Sequence, residues 1–282
     1  RNFVLSGAEL TGPEKTRFAA IQERLAELSQ KFSEHVLDST DRWTLNVSAE
    51  RLIGVPQDVL NATAEAARAA GVSGHLLNLK MPCYLPIMQY AQEHELRQTM
   101  FRAYATRASD LWDDPALDNS GLITEIVALR QEEAHLLGYA NAAEVSLATK
   151  MAPDPAHVID FLRDLARRAR PYAERDVSDM RDFAHQHLNL SHPQAWDWTF
   201  IGERLKEARY AFSESEVKAY FPAPKVLAGL FKIVETLFEV NIQRDHAPVW
   251  HEAVEFYRIE RDGQLVGQFY LDPPARTGKR GG

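Results

Sequence analysis

The sequence is poor in the features that most directly announce a chemistry. Its 282 residues include one cysteine, Cys83. A single thiol closes no internal disulfide, which excludes a stapled secreted scaffold and fits a reducing compartment. No run of about 18 apolar residues, the minimum for a membrane span, occurs. The opening RNFVLSGAEL lacks the charged start, apolar stretch and cleavage site of a secretory signal. Asn46, Asn61 and Asn189 head N-x-S/T triplets, which without such a signal read as chance matches. Positive charge is outweighed: 32 Lys and Arg against 40 Asp and Glu leave a net −8. A nucleic-acid binder needs the opposite, a dense basic surface. There is no glycine-rich phosphate loop, no G-x-S-x-G elbow, no internal repeat and no low-complexity linker. These absences predict a cytoplasmic protein with no nucleic-acid and no membrane partner. The chain starts without Met and stops at GKRGG, so it reads as a piece of a longer protein.

Helical periodicity fills most of what is present. After Thr11, a candidate cap, and Pro13 come Phe18, Ile21, Leu25, Leu28, Phe32 and Val36. Their spacings of three and four predict one long amphipathic helix. WTLNV suggests a short strand, and Asp58 to Ala70 an alanine-rich helix closed by Gly71. Further helices are predicted through ELRQTMFRAYATRAS, through Ile123 to Ala134, and through PKVLAGLFKIVETLFEV. The long stretch from Asp154 to Leu188 also reads as helix, with a kink or break at Pro171. Only the end changes character. VEFYRIE and LVGQFYLD flank RDGQ, and Asp262-Gly263 tolerates the positive φ that a tight hairpin needs. The expected fold is therefore mainly α with a small C-terminal β-hairpin. Residues 1–150 form a first helical region, and residues 151–282 form helices leading into the hairpin.

Candidate sites are few. His251-Glu252-Ala253-Val254-Glu255 falls one residue short of the zinc-peptidase motif H-E-x-x-H. That motif works on a helix, where residues i and i+4 share a face. A strand start would separate His251 and Glu255 by roughly 13 Å, too far to share one ion. His185 and His187 with His192 offer a surface alternative, although residues two apart on a helix face different ways. Glu132 and His135 have a metal-sharing i, i+3 spacing but no second such pair. Cys83 reads as a small buried residue rather than a nucleophile. On the residues alone no catalytic set, no metal set and no substrate-binding residue is assigned.

Several segments, in order, resemble the thimet oligopeptidase family of zinc metallopeptidases. They are RFAAIQERLAELSQKFSEHVLD, MPCYLPIMQYA, LRQTMFRAYATRAS, EEAHLLGYANAAEVSLATKMA, WDWTF, YFPAPKVLAGLF and VWHEAVEFYRIERDGQLVGQFYLD. The resemblance implies lobes of a two-lobed, mainly helical clamshell around a deep channel that admits short peptides and excludes folded proteins. It implies zinc in the full-length parent, held by two His and one Glu, which would acidify a bound water and polarise the scissile carbonyl. It also implies that these ligands lie C-terminal to GKRGG, so that His251-Glu252 is a decoy and this segment alone is inactive. The partners it implies are short peptide substrates and the remainder of the parent polypeptide. Pro273-Pro274 departs from the family pattern, which usually has Leu-Tyr there, and two missing backbone donors would stop strand pairing. Two other readings stand beside it. One is a non-catalytic helical protein that binds peptides or partners, and the other is an independent enzyme using His185, His187 and His192.

Overall fold

A computed structural model describes residues 1–211, 214–276 and 278–279. Arg280, Gly281 and Gly282 of the GKRGG tail lie outside the described residues. The chain divides into two compact units, Arg1–Glu203 and Arg204–Gly282. The first-lobe boundary expected after residue 150 falls between the helices α7 and α8 defined below.

The first unit opens with α1 (Asn2–Leu5) and α2 (Gly12–Arg42). The 31 residues of α2 make it about 46 Å long at 1.5 Å per residue. Its predicted stripe buries Phe18, Ile21 and Leu28. Thr11 stands at the N-cap position, but its side chain accepts no capping hydrogen bond, and Pro13 in the first turn carries the start. The predicted strand is β1 (Thr44–Val47), antiparallel to β2 (His75–Asn78), with Leu45 opposite Leu77. Between them lies α3 (Gln57–Ala69), ended by Gly71 at φ +72°. Then come α4 (Met81–Tyr90) and α5 (His94–Ala105). Val59, Leu77, Leu79, Ile87, Leu96 and Met100 belong to one continuous core that joins these elements.

Next are α6 (Ser120–Leu136), the short α7 (Ala142–Leu147) and α8 (Pro155–His187). Asn141 and Asp154 cap α7 and α8, each side chain accepting a backbone N–H. Of the kink or break expected at Pro171, there is no break: α8 is continuous over 33 residues. Pro171 and its neighbours are exposed, so the Arg167 carbonyl that loses its intrahelical donor can turn to water. The predicted loop follows, and α9 (Trp198–Tyr210) crosses the boundary between the units.

The second unit contains α10 (Glu214–Lys218), α11 (Ala223–Phe238) and three strands: β3 (Asn241–Asp245), β4 (Glu255–Arg261) and β5 (Gln264–Leu271). The predicted hairpin is β4–β5, turned by Asp262 and Gly263 at φ +51° and +74°. The sequence reading missed β3, whose NIQRD is too polar to stand out. It pairs antiparallel with β4 and completes a sheet of order β3-β4-β5. On one sheet face Phe231 of α11 meets Tyr257 and Phe269 edge-on at 5.0 and 6.1 Å. The molecule is thus mainly α with two small antiparallel sheets. No described helix is long and apolar enough to cross a membrane.

Candidate functional site

The His251–Glu255 stretch is a turn, not a strand start. Val254 N–H donates to the His251 carbonyl at 3.0 Å, and β4 begins only at Glu255. The separation argued from strand spacing therefore does not apply, and the side chains have other partners. Ala253 N–H donates to His251 Nδ1 at 3.1 Å, so the neutral ring carries its proton on Nε2. Both carboxylate oxygens of Glu255 are engaged: Oε2 accepts from Tyr257 Oη at 2.7 Å, and Oε1 lies 3.2 Å from Arg244 Nη1. Burial, then the Glu255 carboxylate, raises the Tyr257 phenol above its ordinary value, so it stays a donor. This donor set does not fit a zinc ion, which needs free lone pairs converging at about 2 Å.

The other candidates are dispersed. His185 and His187 are exposed at the end of α8, where His187 packs on Phe183 with centroids 4.8 Å apart. His192 is exposed in the following loop. Glu132 is not simply a solvated helix face. It receives Arg17 of α2 in a two-pronged pair at 2.6 and 2.7 Å, which ties α2 to α6. His135 Nε2 lies 2.7 Å from Gln131 Nε2 instead. Cys83 is buried, and burial raises its thiol above the ordinary value, leaving it protonated and unreactive. Among the described residues, no group of three or more His, Cys, Asp or Glu could hold a metal ion.

Two constellations escaped the sequence reading. In the first unit Arg97 and Asp197 are 1% and 0% exposed and pair at 2.6 Å. Arg97 also donates to the carbonyls of Ala91 and Gln92 and lies 4.3 Å over the Phe200 ring. Asp197 Oδ2 accepts Gln194 N–H at 2.8 Å. His94 Nδ1 lies 3.0 Å from Asp197 Oδ1, and Trp196 Nε1 donates to His94 Nε2 at 3.1 Å. A signal existed: Arg97 occupies a core position of α5, in step with Met100, Phe101 and Tyr104, where an apolar residue is the rule. In the second unit Asp272, just past β5, accepts Arg276 through both oxygens at 2.6 and 2.9 Å and Trp250 Nε1 at 3.2 Å. Lys279 donates to its carbonyl. Arg276 first, then Trp250 and Lys279, outweigh desolvation and hold the Asp272 carboxyl far below the usual carboxylate range. The D-x₃-R-x₂-K spacing was the available clue.

β5 is the feature best shaped to meet a ligand. It lies at one edge of the sheet and pairs only with β4 among the described residues. Alternate backbone groups of β5 therefore face away from the sheet over Gly267–Leu271, beyond the register irregularity that skips Val266, and such an edge is a template for an extended chain. Val266 and Tyr270 are exposed on it, and Tyr270 contacts Trp250 with centroids 5.0 Å apart. The strand stops at Leu271, one residue before Asp272 and the two prolines.

Comparison with known proteins bears directly on this arrangement. The model of peptidase family M3 matches residues 87–282, which include the whole second unit. The chain belongs to peptidase family M3. Matches spanning all of this chain agree. The chain is 42% identical to oligopeptidase A of Escherichia coli over 286 residues, covering 100% of this chain and 42% of that protein. Oligopeptidase A of Salmonella typhimurium gives the same figures, 42% identity with 100% and 42% covered. That of Haemophilus influenzae is 39% identical, with 100% and 42% covered. The chain thus spans about two fifths of the length of these M3 relatives. The family resemblance read from the ordered segments holds.

Proposed function

We propose that this chain is a segment of a zinc-dependent oligopeptidase that hydrolyses short peptides in the cytoplasm. The match to peptidase family M3 over residues 87–282 carries the proposal, and the name oligopeptidase A borne by its relatives supports the substrate class. The segment supplies lobe structure and a peptide-binding edge, and it hydrolyses nothing by itself. The zinc ligands lie in the remainder of the parent polypeptide, because the donors nearest to a motif here, His251 and Glu255, are already committed to protein partners. The buried thiol of Cys83 fits the reducing cytoplasm.

In this reading β5 holds the substrate. An extended peptide adds as a further strand, and its main chain takes up the outward-facing groups of Gly267–Leu271. Pro273 and Pro274 end that edge, since neither has a backbone donor. Side chains alternate along a strand, so every second substrate residue would lie on the Gln268–Tyr270 face, beyond the irregularity at Val266. The test pairs two proteins, these 282 residues and the same chain extended by the downstream coding region. Chelator-sensitive cleavage of a short quenched peptide is expected from the longer chain alone. Such cleavage by the shorter chain after rigorous purification would sink the proposal. Slower exchange of the β5 amides on adding a non-cleavable peptide to the longer chain is expected, and unchanged exchange rejects the edge.

A further inference from the structure

We propose that His94 is a proton-operated latch on the turn that carries Trp196 and Asp197. Two contacts, one at each ring nitrogen, assign the tautomer. Indole nitrogen donates only, so Trp196 Nε1, at 3.1 Å, requires a bare His94 Nε2. Asp197 is fully buried against the always-charged Arg97 at 2.6 Å, so its Oδ1 is an acceptor, and His94 Nδ1 at 3.0 Å carries the proton. The latched state is therefore the neutral Nδ1–H imidazole with both nitrogens used.

A second proton has only one place to go. Bound at Nε2, it sets an N–H against the indole N–H, and the contact with Trp196 opens. The Nδ1–H bond to Asp197 survives and gains charge assistance. Proton uptake thus exchanges one partner for a stronger hold on the other; it does not simply break the site. Several charged groups surround the ring. On α5 Arg97 pairs with Asp197 at 2.6 Å, and Glu95 is the next residue along the chain. Glu93, which precedes α5, pairs with Arg51 at 2.8 Å. From the 194–197 turn Asp197 favours the proton, and from α9 Glu203 is bonded to Tyr90 of α4 at 3.1 Å. The ring is partly exposed, 40% at its side chain, so protons reach it without unfolding. Histidine is the side chain suited to change charge between about pH 5 and 8.

The device acts on packing as well as charge. Trp196 is half-buried against the main core, its ring 6.4 Å from Phe101 and 5.5 Å from the imidazole. Releasing its indole N–H frees the ring to tilt, while Asp197, next in sequence, stays clamped to Arg97. Acid therefore loosens the turn before α9 and leaves its buried anchor in place.

Incorporation of 5-fluorotryptophan gives Trp43, Trp112, Trp196, Trp198 and Trp250 as separate fluorine signals, with Trp196 identified by its loss in Trp196→Phe. The Trp196 signal is expected to shift along one titration curve between pH 8 and 5. In His94→Gln, whose amide can both donate to Asp197 and accept from Trp196 but does not titrate, that shift disappears. A flat Trp196 signal in the parent chain, or the same shift in His94→Gln, overturns the proposal. A measurement needing no variant guards against misfolding. Two-bond proton–nitrogen correlation on labelled histidine should show His94 protonated at Nδ1 and bare at Nε2 at pH 8, and the reverse tautomer overturns the latch.

Discussion

The two units hold themselves together by different means. The first buries a run of large apolar side chains from several elements, Ile21, Leu28, Leu52, Leu77, Ile87, Leu96 and Met100 among them, and sets one ion pair inside. In the second, Val254 and Phe256 are the buried apolar residues among those described. There α11 buries none of its residues and presents Val226, Leu230, Ile233 and Leu237, spaced four, three and four, to solvent. Its order comes from sheet pairing, aromatic edges and the clasp around Asp272. A buried core tolerates little change in volume or charge, whereas a sheet held by ladders and surface clasps loses its parts one at a time.

The comparison can be broken hardest at Asp197. Replacing it by Ala leaves Arg97 buried without its counter-charge, and a loss of about 3–5 kcal/mol is expected. Urea unfolding followed by far-ultraviolet dichroism measures it. Ile87→Ala, which empties a fully buried site, should cost the first unit about 2–5 kcal/mol in the same assay. Phe256→Ala in the second unit should cost less than either, below the roughly 3 kcal/mol that begins the usual range for phenylalanine truncation, because little else is buried around it. Parity of the three would erase the distinction between the units. A further experiment addresses the α11 stripe. Large exposed apolar patches promote association, so the parent chain should self-associate in sedimentation velocity, and Leu230→Lys with Ile233→Lys should shift it toward monomer.

The smallest effect concerns acid. Asp272 has a folded-state carboxyl held far below the usual range, whereas in the unfolded chain it takes the ordinary value near 3.9. Its contribution is therefore fully present above that ordinary value and is lost only as pH falls through the lower folded one. The Trp250 signal should accordingly hold steady from pH 7 to about pH 3, below the ordinary carboxylate value. Asp272→Asn should alter that signal already at pH 7 and remove any acid response that depends on the clasp. The same early acid response in both proteins would show that the clasp does not hold Trp250.

Periodicity made much of the fold readable. Phe18, Ile21 and Leu28 marked α2, Gly71 the end of α3, and Asp262-Gly263 the β4–β5 turn, because each rests on local geometry. The failures were non-local. β3 exists because β4 offers it a ladder, and Pro171 is tolerated because α8 is bathed in water at that point. The family was legible in the order of its segments, but the residues forming the Arg97–Asp197 and Asp272–Arg276 pairs were not. One of those pairs spans 100 positions in sequence, and no spacing rule reaches so far. The strand spacing expected for His251–Glu255 does not hold, because residues 251–254 form a turn set by the contact of Val254 N–H with the His251 carbonyl, which no local pattern announced.

One consequence belongs to α8. It touches α7 near its start, and near its end Ala184 is buried and the Met180 methyl packs toward Gly202. From Ile159 to Asp176 nearly every side chain faces water, with Pro171 inside that span and one rung of the ladder absent. Ordinary helices fray from their tips, where hydrogen bonds are fewest. Here the tips are pinned and the middle stands alone, so breathing should begin at the centre and spread outward, turning the usual fraying profile inside out.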